Sequence, residues 1–125
     1  MVQEWFKLAN RDLIAALALF DLNNSELRLL TAFHCQQACE KAIKGFLVYK
    51  NILFCKTHDL GKLGFEVEKI CPELLSTLVE AKLLTPYAAE HRYPDAALKN
   101  IENEDVVFAI NVAKKLVGEL SKRII

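Results

Sequence analysis

From Gln3 to about Asp21 the apolar residues recur with the period of a helix, placing Trp5, Leu8, Ala9, Leu13, Ala16, Leu19 and Phe20 on one face. Asp12 lies in the middle of that face, where a carboxylate is either at an exposed edge or satisfied by a structural contact. Asn23, Asn24 and Ser25 read as a turn, with Ser25 suited to cap a long second helix that runs to about Asn51. At about 100° per residue, the stretch from Thr31 to Lys50 puts Cys35, Ala38, Cys39, Ala42, Ile43, Phe46 and Leu47 on a broad apolar arc. Gln37, Glu40, Lys41 and Lys44 line the opposite side. Gln36 breaks the pattern, because it projects beside Ile43 and Leu47, where an amide needs hydrogen-bond partners. A bond from Gln36 to Asp12 would satisfy both residues and lock the first two helices in register.

The segment Ile52 to Lys56 reads as a loop, and Thr57 or Asp59 can cap a third helix from Leu60 to about Cys71, interrupted by Gly61 and Gly64. Pro72 closes that helix and can open the next. The helical pattern continues toward Tyr93 but is broken near Thr85 and Pro86. Either Thr85 caps a fresh helix or Pro86 kinks a continuous one. Pro94 to Glu102 reads as a connector, and Asn103 then caps a final helix. Its apolar stripe is Val106, Ile110, Ala113, Val117, Leu120 and Ile124, widened by Ala109 and Leu116. No segment alternates as a strand does, so the expected fold is all-α, an up-and-down bundle of about five helices.

At 125 residues the chain is expected to form a single domain over 1–125. Its 16 basic and 16 acidic residues cancel, which argues against the strong positive field of a non-specific nucleic-acid binder. No apolar run approaches the roughly 18 residues of a membrane span, and the charged N-terminus does not read as a signal peptide. The expected location is therefore cytoplasmic, with no membrane contact and with the 4 cysteines reduced. Metal binding is not expected, because Cys35 and Cys39 point into the apolar arc and neither CxxC nor HExxH is present. No cofactor is expected. At 53% hydrophobic residues the chain is richer than the roughly 45 to 50% of typical domains, which favours an apolar surface shared with another copy.

The run FHCQQACEKAIKGFL, followed by THDL from Thr57 to Leu60 and RYPD from Arg92 to Asp95, resembles the HEPN domain family (higher eukaryotes and prokaryotes nucleotide-binding). The start WFKLANRDLIAAL and the end ALKNIENEDVVFAINVAKKL are similar to the family as well, so the resemblance covers nearly the whole chain. It implies a homodimer whose helices form a cleft able to hold a nucleotide or RNA phosphate, with Lys41 and Lys44 as phosphate contacts. Some HEPN proteins are metal-independent ribonucleases that use an Arg and a His near the start of the final helix. Here the final helix opens NEDVVFAINVAK with neither residue, and Arg28 and His34 match only by spacing, on the second helix. The chain therefore resembles the HEPN members that partner a minimal nucleotidyltransferase in toxin–antitoxin-like modules. A ribonuclease and a purely structural interaction dimer are the alternatives.

Each candidate site residue also has a plain structural role. Glu40 and Lys44 have the order of an exposed i, i+4 pair on a solvated face. Asp59 suits a helix cap, and His58 beside it could bind an anion or move a proton. Arg92 stands at an expected helix end before Tyr93 and Pro94, where its charge complements the helix dipole. With Tyr87 nearby in sequence, it could also hold a phosphate while a base stacks on the ring. The candidate ligand residues are thus Lys41, Lys44, His58, Tyr87 and Arg92, and the structural polar residues are Asp12, Gln36 and Asp59.

Overall fold

In a computed structural model, which describes residues 1–88 and 101–124, the chain folds into five α-helices and no strand is present among those residues. They are α1 (Val2–Asp21), α2 (Arg28–Tyr49), α3 (Leu60–Ile70), α4 (Leu75–Lys82) and α5 (Asn103–Ser121). The expected all-α bundle is what forms. Short 3₁₀ turns precede α2 and α4 and follow α4.

Helix α2 is the centre of the bundle, packed against α1, α5 and α3. Cys35, Ala38, Cys39, Ala42, Ile43, Phe46 and Leu47 are all buried, as the apolar arc requires. Because neighbours lie on more than one side, Thr31, Gln36 and Glu40 are buried too. Helix α5 covers α2 with Val106, Ala109, Ile110, Ala113, Leu116, Val117 and Leu120. On α1 the buried face is Phe6, Ala9, Asp12 and Ala16, so Phe6 joins the core while Leu8 is left exposed.

Several boundaries differ from those the sequence predicts, each for a local reason. Asn24, rather than Ser25, supplies the cap, its side chain accepting from the Glu26 amide at 2.9 Å. A 3₁₀ turn over Ser25–Leu27 then delays the start of α2 to Arg28. At α5 the cap position is Glu102, not Asn103, and its amide donates to the Asp105 carboxylate at 2.9 Å. Gly61 and Gly64 do not interrupt α3, which is continuous. The break near Pro86 is a true one, since α4 ends at Lys82 and Thr85–Ala88 forms a separate turn. The Thr85 hydroxyl accepts from the Leu60 amide at 3.1 Å, fastening that turn to the start of α3. The expected connector from Pro94 lies mostly outside the described residues, as do Arg92 and the rest of the RYPD run.

Helices α1 and α2 lie close together at Gly45. A Cβ placed there would lie 2.6 Å from Trp5 Cβ and 3.1 Å from the Phe6 ring. Overpacking of this kind costs about 1–3 kcal/mol, more than the roughly 1 kcal/mol a helix gains when glycine becomes alanine. Gly45→Ala is therefore expected to lower the urea midpoint, and Gly45→Val to lower it further. A raised midpoint for Gly45→Ala would mean that the two helices separate without cost.

Candidate functional site

Along one edge of α2, two buried carboxylates each hold a histidine and a lysine. Asp12 comes from the inner face of α1, and its two oxygens take different partners: His34 Nδ1 at 2.8 Å and Lys41 Nζ at 2.6 Å. His34 and Lys41 are seven residues apart, about two turns, so both reach the same side of α2. Glu40 stands on α2 itself. It accepts from His58 Nδ1 at 2.8 Å and Gln36 Nε2 at 3.2 Å through one oxygen, and from Lys44 Nζ at 3.0 Å through the other.

The amides tie this edge to the start of α3. Gln36 Nε2 also donates to the His58 carbonyl at 3.1 Å, and its own oxygen accepts from Gln37 Nε2 at 2.7 Å. Next to His58, the Asp59 carboxylate caps α3 by accepting from the Gly61 amide at 2.8 Å and the Lys62 amide at 3.3 Å. Among the described residues no buried side-chain nitrogen or oxygen lacks a hydrogen-bond partner. In a low-dielectric interior that completeness is what makes two buried carboxylates tolerable.

This arrangement corrects two expectations. Gln36 is buried but does not bond Asp12; its partners are Glu40 and the His58 backbone. Glu40 is not on a solvated face, because its side chain is only 6% exposed and that of Lys44 only 12%. Sequence periodicity misplaced Glu40 because α2 has neighbours on several sides, so a polar stripe does not mark solvent there. The missed signal was Asp12 itself: a carboxylate on an inner face needs a cation from the facing helix. His34 and Lys41 are the basic residues of α2 that share that side.

Tyr87 is not drawn into this cluster. Tyr87 is half-buried in the turn after α4, its phenol held above the ordinary value by burial and then by the charge of Asp105. Arg92 lies outside the described residues. Arg28, matched by spacing to His34, donates to the Ile101 carbonyl at 3.3 Å beside the start of α5, whereas His34 faces Asp12 on α1. The two side chains are thus held by different partners, one beside α5 and the other on α1. Among the described residues no three His, Cys, Asp or Glu side chains group as a metal site. Burial and then the Asp12 charge push the Cys35 thiol up to about 12, and burial raises Cys39 likewise.

Each histidine places Nδ1 at 2.8 Å from its carboxylate, so Nε2 is the ring nitrogen that the carboxylate does not engage. His58 is 70% exposed and the side chains of His34 and Lys41 about a quarter exposed, so these groups are presented outward from a fixed base. The edge can therefore offer an anion a hydrogen bond from the Lys41 ammonium, with the His58 ring exposed on the same edge.

The fold and this edge define an all-α helical bundle with a preset polar cluster on its central helix. The chain belongs to the HEPN family: the HEPN domain model matches residues 2–124. Its structure is similar to the crystal structure of an archaeal HEPN homologue, with a TM-score of 0.79 and 25% identity over 100% of this chain and 98% of that one. No curated protein sequence matches. No helix among the described residues is long and apolar enough to cross a membrane.

Removing one member of a buried pair leaves the other charge uncompensated, at about 3–5 kcal/mol. Glu40→Ala is expected to lose stability in that range by urea unfolding, and Glu40→Gln with Lys44→Met to recover more than half of the loss. An unaltered midpoint for Glu40→Ala would show the pair to be solvated. The thiols give a second check. Under native conditions a thiol reagent should label Cys55, which is exposed, and reach Cys35, Cys39 and Cys71 only on unfolding. The Cys35 pKa is raised on folding from 9.0 to about 12, so its contribution to stability is complete below pH 9.0 and is lost as pH rises toward about 12. Cys35→Ala should flatten that alkaline decline.

Proposed function

We propose that this HEPN protein is a cytoplasmic nucleotide-handling accessory subunit, a homodimer that works with a small nucleotidyltransferase in a toxin–antitoxin-like module. The observation that supports the reading best is the edge of α2 where Lys41, Lys44, His34 and His58 are anchored by two buried carboxylates. The Lys41 ammonium has one hydrogen engaged and others to offer, and the imidazoles extend the same edge, so donors are already oriented before a phosphate arrives. Because Asp12 and Glu40 offset the two lysines, attraction for an anion is moderate, which suits a nucleotide that must be exchanged rather than stored. Arg92 would add a guanidinium fork to the phosphates. The separation of Arg28 from His34 on α2 favours an accessory role over self-sufficient RNA cleavage.

Calorimetric titration with ATP, with and without Mg²⁺, tests this reading. Saturable binding is expected, weakened at least about tenfold, or roughly 1.4 kcal/mol, in a Lys41→Gln, His58→Ala, Arg92→Ala variant. Lys44 is left in place because its loss would strand Glu40. No heat at millimolar ATP, or equal affinity in the variant, would remove nucleotide handling from this edge.

A further inference from the structure

Between the segment that follows α2 and the first turns of α3 lies a cavity of about 510 Å³. That is within the roughly 300–1,000 Å³ of pockets that hold small molecules. Its apolar walls are Leu53 and Phe54 from the segment and Leu63 and Phe65 from α3. Leu63 is buried as part of the core, whereas Phe65 is 57% and Leu53 95% exposed. Large apolar side chains left in water around one concavity mark a place where something apolar binds. None of the lining side chains belongs to the polar edge of α2.

The polar groups on the same walls specify the other end of the ligand. Glu66 is already committed, because it pairs with Lys69. Lys62 makes no ion pair among the described residues, so the lining is left with one uncompensated charge, and it is positive. Thr57 lines the cavity too. Its hydroxyl oxygen accepts from the Asp59 amide at 3.0 Å, while its hydrogen has no acceptor among the described residues. A carboxylate brings two accepting oxygens, one for the Lys62 ammonium and one for the Thr57 hydroxyl. A cationic ligand would face Lys62 with like charge, and a phosphate monoester brings more negative charge than one lysine offsets.

We infer that this cavity binds an aliphatic monocarboxylate of the fatty-acid type, its chain along Leu53, Phe54, Leu63 and Phe65 and its carboxylate on Lys62 and Thr57. A flexible chain can follow walls drawn from both a loop and a helix, and each methylene it removes from water strengthens binding by up to about fourfold. The site is separate from the polar edge of α2 and does not rest on the proposed function.

Calorimetric titration of the full chain with hexanoate, octanoate and decanoate tests the inference, with octanol as the uncharged control. Octanoate binds saturably, several-fold more tightly than hexanoate and about tenfold more tightly than octanol. Lys62→Gln brings octanoate to within about twofold of octanol and leaves octanol unchanged. Leu53→Ser, at a side chain that lies almost wholly in water, weakens both ligands by about fivefold. Occupancy is read independently at Cys55, which is exposed and lines the cavity: saturating octanoate slows its labelling by a thiol reagent at least about fivefold. No saturable binding at millimolar octanoate overturns the inference. Octanol that binds as tightly as octanoate overturns it as well, since Lys62 then recognises nothing. Labelling of Cys55 at an unchanged rate under saturation also overturns it, because the chain then binds elsewhere.

Discussion

Everything in this molecule depends on how the polar groups of its central helix are satisfied. A helix enclosed on several sides cannot send its carboxylates to water, and Asp12 and Glu40 lie where hydration is largely lost. Each is compensated by a lysine and a histidine at hydrogen-bond distance. The two sets resemble one another because the constraint is the same: a carboxylate with two oxygens needs at least two donors, and one of them must carry charge. Gln36 and Gln37 fill the remaining valences and connect the edge of α2 to the loop before α3.

The same bonds set the relative positions of three elements. Asp12 joins α1 to α2 through side chains, and Glu40 joins α2 to the residue before the α3 cap. Packing reinforces the first junction, since Gly45 lets the backbones close in on one another near Trp5 and Phe6. The polar edge is thus a structural clamp with a partly exposed outer surface. A fold of this type does not by itself dictate chemistry. Here the clamp is built from basic side chains, of which His58 is the most exposed and Lys44 the most buried.

Reading the sequence recovered the class of fold because three strong helical periods and the absence of any alternating segment leave few architectures for the chain. It recovered the apolar arc of α2 and the stripe of α5, where burial follows periodicity directly. It also identified Gln36 and Asp59 as polar residues with structural partners, since an amide in an apolar arc and an aspartate before a helix each have few alternatives. The family resemblance was legible for a related reason: its strings are spread over the whole chain in order, and the HEPN domain model matches residues 2–124.

Which partner each polar residue takes was not legible. A helical wheel assigns one inside and one outside, so it placed Glu40 in solvent, whereas α2 has α1, α3 and α5 around it and Glu40 faces the protein. Pairing of Asp12 with His34 and Lys41 rather than Gln36 depends on the rotation of α1 against α2, which neither helix specifies alone. The exposure of Phe65 is decided in the same way, because α3 spends its other face on α4 and the core. The amino-acid sequence thus determined which segments are helices and which residues need burial. Tertiary structure decided which polar groups meet, because that depends on the rotation and spacing of several helices at once.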